Sequence, residues 1–209
     1  MTPPPTLLWT GPTGTPLTLL LAHGAGAPMD TPFMTFFAEG LATKGYRVGR
    51  FEFPYMAERR MTGKRKPPNP ASVLLDTWRA VIEACGNTRI VIGGKSMGGR
   101  MATMIADEVK ASGLVCLGYP FYGAGRRDKP RIAHLETLNT PTLICQGERD
   151  TMGDKASISA LTLSPAIAIH WCPDGDHDLK PRKASGLTHE HNLNSALDAG
   201  LAFLAALAP

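Results

Sequence analysis

The sequence predicts an α/β fold, a three-layer α/β/α sandwich in which helices cover both faces of a mostly parallel sheet. Three observations lead to this prediction. Short β-type runs alternate with segments of helical periodicity along the chain. The β-type runs are almost continuously apolar, as in strands whose two faces are both buried. The segments between them repeat apolar residues at the spacing of one helix face, so they can form the layers that cover the sheet.

Six apolar runs predict the strands of this sheet. They lie at residues 17–22, 46–53, 89–92, 114–117, 142–146 and 166–171. A shorter segment at residues 7–9 adds a candidate edge strand. Because helical segments separate the runs, we expect the sheet to be mostly parallel.

Apolar spacing predicts four helices between and after these strands. In the first, at residues 33–41, Asp30 or Thr31 can cap the helix and Pro32 can take the first helical position. The others lie at residues 74–82, at residues 97–111, and from near Thr188 through residues 193–204. Two segments, residues 62–70 and 118–130, are predicted to be loops.

Length and composition indicate a single domain over residues 1–209. Hydrophobic residues make up 43% of the chain and charged residues 19%, the balance of a globular protein. Much of the net charge of +4 comes from residues 58–66, ERRMTGKRK, with five Lys or Arg against one Glu. The basic residues 59–66 form either a solvated loop or a docking patch for an anionic substrate or partner. Without interleaved aromatic residues or a recognisable motif, no nucleic-acid partner is expected.

Two further features bear on location and cofactors. The N-terminus lacks a positively charged leader region, and the apolar run at residues 17–22 is too short to span a membrane. We therefore expect a cytoplasmic protein without a membrane partner. No CxxC pair occurs, and three of the four cysteines lie in strand-like runs, which predicts small reduced core residues and no metal site. The cysteines are Cys85, Cys116, Cys145 and Cys172.

The segment Gly94-Lys95-Ser96-Met97-Gly98 has the pattern G-x-S-x-G. It follows a predicted strand and opens a predicted helix, which is the context of a nucleophile elbow. The glycines leave room for a sharp turn that holds the Ser96 hydroxyl above the sheet. The alternative is a phosphate-binding glycine turn. It is disfavoured because Arg89 stands where a P-loop needs glycine, and the stretch lacks G-x-G-x-x-G.

A serine nucleophile needs a base, and the base needs an orienting carboxylate. Asp150 follows the predicted strand at residues 142–146, and His177 follows the one at residues 166–171. With Ser96 they occur in the order Ser, Asp, His at the carboxyl ends of parallel strands, so these three are the predicted catalytic residues. The competing carboxylates and histidines are Glu148, Asp154, Asp174, Asp176, His170, His189 and His191.

Donors for an oxyanion are expected in the segment His23-Gly24-Ala25-Gly26, at the end of an early strand. The predicted oxyanion donors are the N–H groups of Ala25, with help from Gly26, and of Met97 directly after the nucleophile. His23 is then expected to shape this loop through hydrogen bonds and not to act as the base.

Two basic residues lie close to Ser96 in the sequence: Lys95 precedes it and Arg100 follows one helical turn later. Their side chains can serve as packing stems with surface ion pairs. Alternatively, they contact the substrate by recognising a carboxylate or phosphate, and Gly26 is a further candidate substrate contact. The sequence leaves both alternatives open.

The segments LLLAHGAGAPMD, GGKSMGGRMA, QGERD and DGDHDLKPRKASGLT together resemble the α/β-hydrolase superfamily. Within it, they resemble small bacterial predicted hydrolases akin to dienelactone hydrolases and to the hydrolase-like domain of a eukaryotic histone-acetyltransferase complex subunit. The resemblance implies an eight-stranded type of core with no large cap domain. The chain departs from dienelactone hydrolases in that its candidate nucleophile is Ser96 and not a cysteine.

From these residues we expect a serine hydrolase that cleaves small carboxylic esters through an acyl-enzyme intermediate, without a metal or organic cofactor. Thioesterase, lactonase or peptidase chemistry on the same residues is one alternative, and a non-catalytic interaction module of the same fold is another. The sequence determines neither the physiological substrate nor the oligomeric state.

Overall fold

The computed structural model describes residues 5–86, 89–123 and 125–207. The strands, in chain order, are β1 (Leu8–Thr10), β2 (Thr18–Ala22), β3 (Arg47–Phe51), β4 (Ile90–Lys95), β5 (Gly113–Leu117), β6 (Tyr122–Gly123), β7 (Arg126–Pro130), β8 (Thr142–Gly147) and β9 (Ile167–Cys172). The α-helices are α1 (Pro32–Ala42), α2 (Pro54–Thr62), α3 (Ala71–Ala84), α4 (Met97–Thr103), α5 (Lys155–Ser159) and α6 (His189–Leu207).

One seven-stranded sheet has the order β1-β3-β2-β4-β5-β8-β9. Its neighbouring strands are parallel except for β1 and β3, which are antiparallel. The mostly parallel sheet and the edge strand near residues 7–9 are therefore confirmed. The eight-stranded core implied by the resemblance is not found in the described residues, because the segment before β2 contributes only the one edge strand β1.

Two apolar clusters cover the two faces of the sheet and confirm the three predicted layers. On one face, α3 and α4 pack against the sheet, and the rings of Phe51 and Trp78 meet edge to face with centroids 4.7 Å apart. On the other face, α1 and α6 pack together and bury Phe37 and Leu204. The buried strand residues include three thiols without disulfide bonds: Cys116, Cys145 and Cys172.

The helix predicted at residues 97–111 is shorter than expected. It ends at Thr103, and the N–H groups of Met104 and Ile105 bond to the third residue back instead of the fourth. Two of the seven residues of α4 are glycines, which lowers its intrinsic helix propensity. Beyond it, the Asp107 carboxylate is held by the N–H of Thr140 at 2.8 Å and by its hydroxyl at 2.6 Å. Apolar spacing alone does not reveal these tertiary hydrogen bonds, so the prediction was too long.

Two segments expected to be irregular contain regular structure. Residues 118–130 include the antiparallel pair β6 and β7, although five of the thirteen residues are glycine or proline. The helix α2 was not predicted; it starts at Pro54, a favoured first helical residue, and is capped after Thr62 by Gly63 with a left-handed φ of 71°. Arg59 and Arg60 of the basic segment therefore lie on a helix and not in a loop.

The start of α1 agrees with the prediction. Thr31 caps the helix by accepting the N–H of Met34 at 3.3 Å, and Pro32 is the first helical residue. None of the helices in the described ranges is long and apolar enough to cross a membrane. The turns after β2, β4, β8 and β9 lie at the carboxyl edge of the parallel strands, where the residues described next come together.

Candidate active site

Ser96 lies in the turn between β4 and α4 with φ 50° and ψ −117°. A positive φ is unfavourable for a residue with a side chain, and the Ser96 N–H helps to hold it by donating to the Leu117 carbonyl at 3.0 Å. The flanking glycines are required, since a Cβ on Gly94 or Gly98 would lie 2.0 Å or 2.5 Å from the Ala22 carbonyl oxygen. This strand–turn–helix junction has the geometry expected of a nucleophile elbow.

Ser96, His177 and Asp150 form a continuous chain of hydrogen bonds. The Ser96 Oγ lies 2.8 Å from His177 Nε2, and His177 Nδ1 lies 2.7 Å from Asp150 Oδ2. Because an ionised carboxylate only accepts, Nδ1 carries the ring proton and Nε2 can accept the hydroxyl hydrogen of Ser96. The Asp150 side chain is 0% exposed, whereas the imidazole is 27% exposed. The fold thus brings the three predicted residues together from separate turns.

The competing carboxylates and histidines lie outside this chain of hydrogen bonds. Their contacts are Lys155 for Glu148, Arg127 for Asp154, Arg182 for Asp174, the Lys180 amide for Asp176, Ser195 for His170 and the Asp178 carbonyl for His189. His191 is exposed in the first turn of α6. The geometry therefore favours Asp150 and His177 over their competitors.

Gln146, which sequence reasoning missed, supports the buried carboxylate. Its Nε2 donates to Asp150 Oδ2 at 2.9 Å, and its Oε1 accepts the Tyr119 N–H at 2.7 Å. The Met152 N–H donates to the other oxygen, Oδ1, at 2.8 Å. A polar residue near the end of an otherwise apolar strand, TLICQG, was the signal that could have revealed it.

The loop after β2 is shaped by His23, as expected. Its Nε2 accepts the Phe53 N–H at 3.1 Å, so Nδ1 carries the proton and donates to the Gly24 carbonyl at 2.6 Å. Burial lowers the pKa of His23, which favours this neutral form. In a trans peptide the N–H points opposite to the carbonyl, so holding the Gly24 carbonyl aims the Ala25 N–H away from the ring.

Helix α2 fixes the next two peptides of this loop. The Tyr55 hydroxyl donates to the Ala25 carbonyl at 2.9 Å, and the Arg59 guanidinium donates to the Gly26 carbonyl at 3.1 Å. A Cβ built on Gly24 would be 3.6 Å from Ser96 Cβ, which shows that the loop lies beside the candidate nucleophile. The unpredicted helix thus positions the loop that carries the candidate oxyanion donors.

Two candidate donors have no acceptor among the described residues: the N–H groups of Ala25 and Met97. Met97 is the first residue of α4, where backbone N–H groups have no partner within the helix. Such groups, together with the positive end of the helix dipole, suit a developing negative charge.

Lys95 does not extend freely from the elbow. It is 8% exposed, and its Nζ donates to the carbonyl oxygen of His177 and lies 3.2 Å from Asp178 Oδ1. Burial lowers its pKa, and Asp178 opposes that shift. These contacts favour an intramolecular role over the anion recognition considered from the sequence.

Arg100 lies one turn into α4, and its backbone N–H bonds to the Ser96 carbonyl at 3.0 Å. Its buried Nε has no hydrogen-bond partner in the described residues. Burial lowers the pKa of Arg100, and the charge of Arg131 acts in the same direction. Burial, together with the charge of Arg100, also lowers the pKa of His134 to about 4. This region therefore carries positive charge that no nearby carboxylate offsets within the described chain.

Within residues 5–86, 89–123 and 125–207, no group of three or more His, Cys, Asp or Glu side chains is arranged to hold a metal ion.

A protein-family model described as "Alpha/beta hydrolase domain" matches residues 15–205. An alpha-beta serine hydrolase homologue from Coxiella burnetii has a TM-score of 0.71 at 18% identity, covering 97% of this chain and 91% of that one. A serine hydrolase without a lid from Xanthomonas campestris has a TM-score of 0.65 at 19% identity, with 92% and 93% covered. A dienelactone hydrolase from Anabaena variabilis has a TM-score of 0.66 at 17% identity, with 91% and 88% covered. These structural likenesses concern the fold.

Proposed function

Because the chain belongs to the alpha/beta hydrolase domain family, we propose that it is a serine hydrolase that cleaves small carboxylic esters through an acyl-enzyme intermediate. Its fold is the α/β-hydrolase fold without a lid. The observation that carries the proposal is the hydrogen-bonded chain from Ser96 through His177 to a buried Asp150.

In the acylation step, the Ser96 Oγ attacks the ester carbonyl carbon while His177 Nε2 takes the hydroxyl proton. Asp150 keeps the other ring proton on Nδ1 and stabilises the imidazolium that forms. The carbonyl oxygen becomes an oxyanion that accepts from the N–H groups of Ala25 and Met97. His177 then gives its proton to the leaving alcohol as the C–O bond breaks, and the acyl group stays on Ser96.

In the second step, His177 takes a proton from water, which attacks the acyl carbon. The tetrahedral intermediate collapses, the bond to Ser96 Oγ breaks, and His177 returns the proton to the serine. The acid leaves, and no group is consumed apart from water. The neutral His23 takes no part in these transfers, since both of its ring nitrogens are occupied by backbone groups.

A fluorophosphonate probe tests this proposal. We expect it to label the wild type on Ser96, identified by peptide mass spectrometry, and to leave Ser96→Ala unlabelled. Ser195→Ala is the matched control, because Ser195 also contacts a histidine, His170 at 2.9 Å, but without the elbow. A wild type that the probe does not label would refute the proposal, and labelling that persists in Ser96→Ala would refute the site assignment.

The substrate class has its own test. A panel of p-nitrophenyl esters of increasing acyl length, with thioester, lactone and peptide controls, should show the largest kcat/KM on small esters. A preference for one of the controls would replace the ester assignment while leaving the triad in place. A probe-unreactive, substrate-inert protein would instead favour the interaction module of the same fold.

We also propose that the guanidinium of Arg100 binds an anionic group of the substrate. The support is its unpartnered Nε and the absence of an offsetting carboxylate in the described residues around it. An uncompensated, partly buried guanidinium favours a carboxylate or phosphate partner. Arg100→Met should raise KM for esters that carry a carboxylate and leave neutral esters unchanged. An equal change of KM for both kinds of ester would refute a contact between Arg100 and an anionic group of the substrate.

The basic segment offers less for such recognition than its composition suggested. Arg60 is bound by Glu52 and Asp30 at 2.6 Å and 2.8 Å, and Lys66 by Glu58. Ion pairs within the protein therefore use part of the charge of residues 59–66. Docking of an anionic partner on this segment stays a prediction, for which loss of affinity at raised salt would be the check.

A further inference from the structure

We propose that Lys95 is a positioning residue that holds the backbone of His177, and with it the imidazole, in register with Ser96. This inference rests on the proposed hydrolase function. It starts from an unusual arrangement: the residue directly before the candidate nucleophile reaches across to the residue that would act as its base.

The contacts of Lys95 rank in a clear order. Its Nζ donates to the carbonyl oxygen of His177, and no other donor among the described residues bonds to that oxygen. The ion pair with Asp178 is 3.2 Å long, but Asp178 is 67% exposed, so solvent weakens it. The ring of Phe33 lies beneath the ammonium, with its centroid 5.2 Å away. The hydrogen bond to His177 is therefore the specific contact, and the other two help to keep a buried ammonium charged.

The neighbouring strand leaves space for this bond. Gly118 follows β5 with a left-handed φ of 64°. A Cβ at this position would lie 2.5 Å from the His177 carbonyl oxygen and 2.9 Å from Lys95 Nζ. Any side chain here would displace one partner or the other, so the glycine and the lysine together define where the base loop sits.

The loop that carries His177 needs such an anchor. It contains no regular structure between β9 and the short helical turn at Lys183–Ser185. Asn192 of α6 holds this loop on either side of His177 by donating to the Pro173 carbonyl at 2.9 Å and the Leu179 carbonyl at 2.8 Å. Lys95 adds the anchor on the side of the sheet, at the reacting residue itself.

The functional consequence follows from the geometry of proton transfer. The Ser96 Oγ and His177 Nε2 are 2.8 Å apart, within hydrogen-bond reach. A misplacement of about 1 Å at a reacting group can cost on the order of 100-fold in rate. Because Lys95 is bonded covalently to Ser96 and by a hydrogen bond to His177, it couples the positions of nucleophile and base through one side chain.

The test compares Lys95→Met, which keeps the apolar stem but no donor, with Lys95→Arg, which restores one. The control is Lys180→Met, an exposed lysine of the same loop. We expect Lys95→Met to lower kcat and the rate of fluorophosphonate labelling by about tenfold to a hundredfold with KM little changed. Lys95→Arg should recover part of the loss, and Lys180→Met should behave as wild type. The loss should be equal on neutral and carboxylate-bearing esters.

Three activity results would overturn the proposal: a Lys95→Met variant within twofold of wild type, a loss confined to anionic esters, or an equal loss in Lys180→Met. If Lys95→Met does not fold, Lys95→Gln takes its place, because its amide nitrogen is one bond too short to reach the carbonyl. Hydrogen exchange adds a readout independent of activity, in which the loop amides around His177 should exchange faster in the Lys95 variants. An unreactive wild type would refute the proposed function, whereas unchanged exchange would refute the anchor.

Discussion

Gln146 donates a hydrogen bond from Nε2 to Asp150 Oδ2 at 2.9 Å, and the same carboxylate oxygen accepts from His177 Nδ1 at 2.7 Å. Gln146 is fully buried, and its Oε1 accepts the Tyr119 N–H. One amide side chain therefore connects the turn after β5 to the carboxylate that would orient the base. Replacing the Gln146 amide with a carboxylate is therefore a sensitive test of the proposed mechanism.

Replacing Gln146 with Glu should lower kcat by about tenfold to a hundredfold, less than the roughly 10⁴-fold loss that follows neutralisation of the acid in a serine-protease triad. The reason is that a second carboxylate beside Asp150 disfavours two negative charges and competes for the proton on His177. The measurement is kcat as a function of pH, together with the rate of probe labelling at neutral pH. A Glu variant as active as wild type would contradict Asp150 as the orienting acid.

Gln146→Met provides the matched comparison. It is neutral and similar in size, but it leaves the Tyr119 N–H without its acceptor. An unsatisfied buried donor costs about 1–3 kcal/mol, so urea unfolding should detect a loss of that size. We expect the Met variant to lose stability and the Glu variant to lose more activity than stability.

The catalytic candidates could be predicted because chain order and strand ends restrict them strongly. In a parallel sheet the carboxyl ends of all strands meet at one edge, so Ser96, Asp150 and His177 were brought together by topology alone. Gln146 and the contact of Lys95 with the His177 carbonyl escaped this reasoning. Their roles depend on which atom a side chain reaches through space, and neither apolar periodicity nor motif spacing contains that information.

The same distinction holds for the fold. The short apolar runs predicted the strands of the seven-stranded sheet to within three residues at either end, but not β6 and β7. The helix predicted at residues 97–111 was too long because the hydrogen bonds of Asp107 to Thr140 are not part of any local sequence pattern. Helix α2 was missed because its apolar face is short: it buries Tyr55 and Met56, while its exposed face carries the basic residues.

Gly98→Ala should destabilise the protein and slow the labelling of Ser96. Its Cβ would lie 2.5 Å from the Ala22 carbonyl oxygen and 2.6 Å from that of His23, and both are backbone atoms. Overpacking of this kind costs about 1–3 kcal/mol. Displacement of the Ala22 and His23 carbonyls would also move the loop that carries the Ala25 N–H. Urea unfolding and the labelling rate together measure both effects.

Gly200→Ala is the control for a glycine without such neighbours. Apart from the chain neighbours and the backbone of its own helix, no described heavy atom lies within 4 Å of a Cβ built at Gly200, which sits inside α6. Because alanine has the higher helix propensity, we expect a gain of up to about 1 kcal/mol and an unchanged labelling rate. Equal losses of stability and labelling rate in Gly98→Ala and Gly200→Ala would show that the close backbone contacts at the elbow are not the cause.

His134 should make stability depend on pH. Burial, with the charge of Arg100, lowers its pKa from 6.5 to about 4, so the unfolded chain binds this proton more readily than the folded one. The stabilising contribution is therefore present above pH 6.5 and is lost as the pH falls towards 4. We expect the unfolding free energy of wild type to decrease between pH 7 and pH 5, and that of His134→Gln to decrease less.

The control for this pH dependence is His191→Gln, since His191 is exposed on α6. It should follow the wild-type curve. The lowered pKa of His23 acts in the same direction, but it is common to all three proteins and cancels in the comparison. A His134→Gln variant with the full wild-type dependence would assign the acid sensitivity to other groups.

Tyr55→Phe tests whether helix α2 positions the oxyanion loop. The hydroxyl donates to the Ala25 carbonyl at 2.9 Å, and burial raises the pKa of Tyr55 to about 12, so it remains a donor at working pH. Phenylalanine keeps the ring contact with His23, whose centroid is 5.8 Å away. A neutral hydrogen bond contributes about 0.5–1.5 kcal/mol, so kcat should fall by about 2- to 12-fold with little change in KM. A rise in KM alone would instead place the Tyr55 hydroxyl against the substrate.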